Sequence, residues 1–149
     1  MRLRLVALVA LVAALAVAAV AAADDGGRPF TTALTGAAEV PGPGDPDASG
    51  TASLRLNPGQ GEVCFDISWA NVDGEVFASH IHVGTATEAG PVVITLFTGA
   101  FAGSGSVSDC VDADRELLRA ILQTPENYYV NVHSRPNFPG GAVRGQLSR

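Results

Sequence analysis

Three histidines are the side chains of this chain whose types and spacing could do chemistry. His80 and His82 stand two apart in "SHIHVGTATEAGP", and His133 lies in a separate segment, "YYVNVHSRPNFPGGAVRGQL". Residues two apart on a β-strand share a face and lie about 6.5–7 Å apart. If a second strand brings His133 beside them, three neutral imidazoles can bind copper or zinc. The alternative is that the rings bond to backbone, Asn131, a tyrosine or a carboxylate and organise loops.

Other chemistry is not indicated by the sequence. It holds no G-x-S-x-G elbow and no glycine-rich phosphate loop. Acidic pairs occur near predicted turns at Asp73 and Glu75 and around Asp109, Asp112 and Asp114, without the ordered spacing of a calcium loop. We therefore predict solvated acids at these turns and no catalytic residue.

The N-terminal segment predicts export. Met1–Arg4 is basic, and Leu5–Ala23 is an apolar run that ends in three alanines. This is the pattern of a secretory signal peptide, residues 1–23, with cleavage after Ala23. The alternative is an uncleaved membrane anchor, because the run approaches the length of a membrane-spanning helix. Cleavage leaves a flexible leader, residues 24–29, one domain, residues 30–149, and no stable membrane span.

Charge and cysteine count limit the partners and the compartment. Removing residues 1–23 removes two arginines and no acid, which takes the formal net charge from −6 to −8. A surface this acidic repels nucleic acid and anionic lipid. In an oxidising compartment the two cysteines, Cys64 and Cys110, are expected to form a disulfide. Two free thiols that bind a metal are the alternative.

Hydrophobic periodicity is that of β-strands from Phe30 onward. Apolar and polar residues alternate with period two, and glycine- and proline-rich turns separate the runs. The only helical pattern is Asp112–Thr124, where Asp112 or Asp114 can cap the N-terminus and Pro125 ends the helix. The predicted strands are 30–36, 51–57, 62–70, 76–83, 91–97, 103–111, 127–134 and 141–147, of which 51–57 and 62–70 form a hairpin and 91–97 is buried.

The strand faces predict which side of the sheet carries the histidines. Strict alternation puts His80 and His82 on one face with Val76 and Ala78, and puts His133 on a face with Tyr129 and Asn131. The opposite faces are expected to enter the core; they consist of Phe77, Ser79, Ile81 and Val83 on the first strand and Val130 and Val132 on the second. The histidines then lie on the less apolar faces.

Three segments resemble, in order, the hallmarks of the CHRD (chordin-type) domain family. They are "LTGAAEVPGPGDPDASGTASLRLN", "ASHIHVGTATEAGPVVITLF" and "ENYYVNVHSRPNFPGGAVRGQL". The resemblance covers 30–147, and the two cysteines also look like the pair in many bacterial members. Beside the three histidines it marks Glu39, Val40, Pro41, Gly84, Gly90, Pro91, Tyr129, Asn131, Gly140, Arg144 and Gly145.

Two details of the closing motif concern charge. Where many family members carry an acid, this chain has Gly141 and Ala142. Arg144 is expected to reach back to Glu39 or to the histidines as a structural ion pair, because buried arginines are usually paired. We prefer this role to that of a ligand-binding arginine.

The resemblance implies a secreted, non-catalytic module. Chordin is an extracellular antagonist of growth factors, and the bacterial domains have no established activity. A weaker likeness to copper–zinc superoxide dismutase rests on His-x-His, the β-rich fold and one disulfide. Three histidines are too few for that dinuclear site.

We therefore predict an all-β fold, a Greek-key-like β-sandwich or barrel with one short helix and one disulfide. The predicted function is an extracellular binding or structural module, without cofactor, for an unknown extracellular protein or envelope component. The alternative is a copper- or zinc-binding protein that uses His80, His82 and His133, and the least favoured hypothesis is a copper-dependent oxidoreductase.

Overall fold

The computed structural model describes residues 26–149. The predicted signal peptide and its cleavage site lie outside these residues. Of the predicted flexible leader, Gly26 and Gly27 precede the first strand, and Arg28 and Pro29 already belong to it. The strand starts before the apolar run because Arg28 and Pro29 pair with Leu56 and Arg55 of the neighbouring strand.

Eight strands form one antiparallel sheet, because alternating segments bury one face each. The sheet order is β5-β4-β7-β8-β1-β2-β3-β6. The outermost strands, β5 and β6, approach each other, so the sheet nearly closes into a barrel. The strands are β1 (Arg28–Thr35), β2 (Ser49–Asn57), β3 (Glu62–Ala70), β4 (Glu75–Val83), β5 (Val92–Phe101), β6 (Gly105–Asp112), β7 (Tyr128–Arg135) and β8 (Val143–Gln146).

The core lies inside the curved sheet, as the period-two pattern predicts. The inward faces of the predicted hairpin are fully or nearly fully buried, and its strands pair from Ser49↔Ala70 to Asn57↔Glu62. Aromatic rings close the gap between β3 and β5: the Trp69 ring centroid lies 5.5 Å from that of Phe97 and 5.8 Å from that of Phe101. The buried hairpin side chains are Ala52, Leu54, Leu56, Val63, Phe65, Ile67 and Trp69.

The disulfide joins two neighbouring strands. Cys64 of β3 and Cys110 of β6 are direct register partners, and their sulfurs are bonded. Because β6 is an edge strand, the bond links this edge covalently to its neighbour β3. The predicted disulfide is confirmed.

One α-helix, α1 (Arg115–Gln123), connects β6 to β7. Asp114 caps it by accepting hydrogen bonds from the backbone amides of Glu116 and Leu117, which settles the choice between the two predicted caps. Its buried residues are Leu118 and Ile121. Within residues 26–149 the structure has no helix that is both long enough and apolar enough to span a bilayer. The eight-stranded sheet and the single α-helix among residues 26–149 confirm the predicted all-β class with one short helix.

Two predictions about individual strands are wrong. The register of β4 with both neighbours shifts between Val76 and Ala78, so a β-bulge interrupts the alternation there. Val76 is therefore fully buried in the core, and Phe77 packs instead against His133, with ring centroids 5.9 Å apart. The run 91–97 forms an edge strand with exposed residues, because only one of its faces meets the core.

Candidate functional site

The histidines lie on neighbouring strands, on the side of the sheet away from the core. β4 pairs with β7, and β7 pairs with β8, so three strands present short rows of polar side chains. The first row consists of Ala78 and His133, which are register partners. The second row runs His80–Asn131–Arg144 and the third runs His82–Tyr129–Gln146.

All three imidazoles converge. Their ring centroids are 4.8 Å apart for His80 and His133, 5.6 Å for His80 and His82, and 5.8 Å for His82 and His133. One nitrogen from each ring lies within 4.8 Å of the others. His82 and His133 are buried and His80 is half-buried. The structure thus places the three predicted residues in one cluster.

Backbone carbonyls determine the tautomers of two rings. The Nδ1 atom of His82 lies 2.8 Å from the carbonyl oxygen of Gly90, and that of His133 lies 3.1 Å from the carbonyl oxygen of Pro139. A carbonyl only accepts, so both Nδ1 atoms carry the proton. In the neutral rings the lone pairs are then at Nε2. His80 Nδ1 lies 3.0 Å from His133 Nε2 and is the donor of that hydrogen bond.

Burial keeps the three imidazoles uncharged at neutral pH. Removal from water lowers the pKa of His80 and of His133 from 6.5 to about 4, and the neighbouring imidazoles add to the effect. Burial also lowers the pKa of His82, against the opposing influence of the Gly90 carbonyl, to which the ring donates, and of the Asn131 side chain. Neutral imidazoles are the form that binds metal ions.

A buried carboxyl group extends the cluster. Glu39 follows the short 3-10 helix Gly36–Ala38 and is buried beside Asn131 and Gly141. Burial raises its pKa from 4.5 to about 7, although Arg144 and the Asn131 side chain favour the charged form. A Cβ atom at Gly141, where φ is +142°, would lie 2.4 Å from the Glu39 Oε1 atom. Glycine at this position is therefore required by the buried acid.

Arg144 does not form the predicted ion pair directly. Its guanidinium lies over the Tyr129 ring, 3.4 Å from the centroid, and that ring stacks on His82 at 4.8 Å. Its Nη2 atom donates to the backbone oxygens of Thr85 at 2.6 Å and Glu88 at 3.2 Å. Glu39 acts on it only through space. The arginine therefore contacts an aromatic face and two loop carbonyls rather than a carboxylate.

Four buried polar atoms in this region have no hydrogen-bond partner among residues 26–149. They are Glu39 Oε1, His82 Nε2, Asn131 Oδ1 and Arg144 Nη1. An unpaired buried polar atom costs about 1–3 kcal/mol and calls for an explanation. Concentrated in one cluster, these atoms identify it as the candidate functional site.

The family-motif residues divide into buried and exposed groups. Tyr129, Asn131 and Arg144 lie in the cluster, whereas Pro91 is exposed at the end of the loop 84–91. Gly90 is required for close approach, since a Cβ there would lie 1.8 Å from the carbonyl oxygen of Val83. Gly84 supplies a carbonyl oxygen to the cluster and Gly140 has open space around it.

Sequence reasoning missed Gln146. Its Nε2 atom lies 2.8 Å from each of three backbone oxygens, those of Gly84, Glu126 and Tyr128, which share its two N–H donors. The signal was available: Gln146 is two residues after Arg144 on the same strand, so the two share a face. Of the turn acids, Glu75 forms an exposed ion pair with Arg135 at 2.6 Å, as expected of a surface acid.

Comparison with known proteins gives one match. The family model of the CHRD domain matches residues 30–147. No curated protein and no solved structure matches the chain.

Proposed function

Because the chain belongs to the CHRD domain family, we propose that it acts outside the cell as a non-catalytic binding and structural module. Its partner in this proposal is an extracellular protein or a component of the cell envelope. The family and the disulfide are consistent with an extracellular location. The predicted signal peptide supports export in the same sense.

The observation that carries the proposal is that the buried cluster holds two surface loops. Loop 84–91 receives hydrogen bonds from Arg144 and Gln146, and its Gly90 carbonyl accepts from His82. Loop 136–142 receives one from His133 through the Pro139 carbonyl. Each bond runs from a buried or half-buried side chain to a loop backbone, so it does not use the exposed loop side chains.

The outward sides of these loops are exposed and ordered. Residues 86–89 are exposed at the tip of the first loop, where the Thr85 hydroxyl donates to the Glu88 carboxylate at 3.1 Å. In the second loop Pro136 and Asn137 are exposed, next to the exposed Arg135 at the end of β7. A loop that is already held in one conformation loses less entropy on binding, so its affinity for a partner is higher. We infer that these two loops form the contact surface.

Binding of labelled protein to the envelope and secreted fractions of its source cell tests the proposal. We expect saturable binding that Arg144→Ala weakens about tenfold, because freeing several loop groups costs on the order of 1 kcal/mol. Arg119→Ala is the matched control, since Arg119 is exposed on α1. Thr87→Ala removes a loop-tip side chain without touching the cluster, and it is expected to weaken binding with no change in thermal stability. Unsaturable binding, or equal binding by all variants, would refute the proposal.

A further inference from the structure

We propose that His80, His82 and His133 bind a single copper ion through three imidazole nitrogens. This goes beyond partner binding by the loops, which needs no metal. The carrying observation is the Nε2 atom of His82: it is buried, it has no hydrogen-bond partner among residues 26–149, and the His82 side chain belongs to the three-nitrogen cluster. A neutral imidazole can donate such a lone pair to a metal ion.

The two buried rings are oriented as metal-binding histidines are. Each donates its Nδ1 proton to a backbone carbonyl, His82 to Gly90 and His133 to Pro139. Such outer hydrogen bonds fix the tautomer and aim the Nε2 lone pair at the metal. The tautomer of both rings is thus set before an ion arrives. The two loop carbonyls hold the rings in the orientation that binding needs.

The nitrogen separations suit a small ion. Two nitrogens bound to one tetrahedral ion at about 2.0–2.1 Å lie about 3.3 Å apart. His80 Nδ1 and His133 Nε2 are 3.0 Å apart, and all three ligand atoms fall within 4.8 Å. Small ring rotations therefore close the site. His80 must move its proton from Nδ1 to Nε2, and as the least buried ring it is best placed to do so.

Charge favours monovalent copper over zinc. None of the three ligands is a carboxylate, so the ligand set does not itself neutralise a dication, and the buried carboxyl of Glu39 beside Asn131 is not one of the ligands. The Arg144 guanidinium is stacked on Tyr129, which stacks on His82, so a second cation is already near. A buried ion of higher charge costs more to remove from water. Imidazole suits both metals, so the lower charge of copper(I) decides.

The test uses the exported protein without a polyhistidine tag and without thiol reductants, which would open the disulfide. Copper(I), under anaerobic conditions, and Zn²⁺ are each titrated against a chromophoric chelator. We expect one equivalent of copper(I), bound more tightly than zinc. The chain has three histidines in all, so imidazole proton NMR of the wild-type protein reports the whole ligand set. All three rings are expected to shift together at one equivalent.

Variants then separate coordination from folding. His82→Gln and His133→Gln are expected to weaken copper binding more than about 100-fold, since loss of an outer hydrogen bond alone costs 10–100-fold. Tyr129→Phe keeps the stacked ring and is expected to keep the affinity. Where a glutamine variant fails to fold, the wild-type NMR result decides. Fewer than three shifted rings, a different stoichiometry or undiminished binding by the variants overturns the site, and tighter binding of zinc overturns the choice of copper.

Discussion

Glu39→Gln should remove a loss of folding stability that the wild-type protein undergoes as the pH rises. The native pKa of Glu39 is raised from 4.5 to about 7, mainly because the carboxyl group is buried. As the pH rises from 4.5 to 7 the unfolded chain loses this proton while the folded chain keeps it. The contribution of Glu39 to stability therefore falls over that window and stays low above it.

The size of the effect follows from the two pKa values. A rise from 4.5 to about 7 corresponds to about 3 kcal/mol of destabilisation once both states are ionised. Glutamine has the same shape and no charge, so it avoids this cost. The free energy of unfolding of Glu39→Gln, relative to wild type, should rise by about 3 kcal/mol between pH 4 and pH 8.

Urea unfolding at intervals from pH 4 to pH 8, with a chelator present, measures this difference. Its change with pH is the informative quantity, because any constant effect of the amide cancels. Glu116→Gln, on the exposed face of α1, reports what the removal of one surface acid does. A Glu39→Gln difference that stays within about 0.5 kcal/mol over the whole range would show that the carboxyl is not buried as described.

Three further predictions concern the disulfide, the loop glycine Gly90 and the histidines. Cys64→Ser and Cys110→Ser should each destabilise the protein by the same amount, about 4 kcal/mol in the chain-entropy account of a loop closed over 46 residues; unequal unfolding free energies would contradict this. Gly90→Ala should cost about 2–3 kcal/mol because its Cβ meets a backbone oxygen at 1.8 Å, whereas Gly140→Ala, with nothing within 4 Å, should be neutral in thermal melts. In the metal-free protein the contribution of the histidines to stability should rise from pH 4 to 6.5, opposite in sign to that of Glu39, because the histidine pKa is lower in the folded than in the unfolded chain. His133→Gln should therefore make the slope of the unfolding free energy against pH less positive in urea titrations.

Clean alternation bounded by turns made several strands predictable. β3 occupies 62–70 as predicted, since each inward residue is apolar and a "PGQG" turn precedes it. β4 departs because its alternation is ambiguous: Val76 and Phe77 are both apolar, and the bulge that selects Val76 for the core is set by pairing with two neighbours. An apolar run such as 91–97 likewise does not reveal whether a strand lies at an edge.

The site was predictable in its members and not in its contacts. His80 and His82 share a face by spacing alone, and His133 joins them because β4 and β7 are neighbours. The register that places His133 opposite Ala78 depends on the whole sheet. Arg144 shows the limit most clearly: a buried arginine predicts a carboxylate partner, yet here it contacts an aromatic ring and two carbonyls, and its Nη1 atom has no hydrogen-bond partner among residues 26–149.

The ring of His82 joins the two proposals physically. Its Nδ1 proton holds Gly90 in the loop proposed to meet the partner, and the His82 side chain belongs to the cluster proposed to bind copper. Tyr129 stacks on this ring, and Arg144 in turn stacks on Tyr129. Both side chains bond to the same loop, Arg144 through the Thr85 carbonyl and Tyr129 through the Gly90 amide. A ligand that fixes the orientation of this imidazole also fixes the Gly90 carbonyl. By thermodynamic reciprocity, we therefore expect occupancy of either proposed site to favour occupancy of the other, with the coupling carried by the His82 side chain.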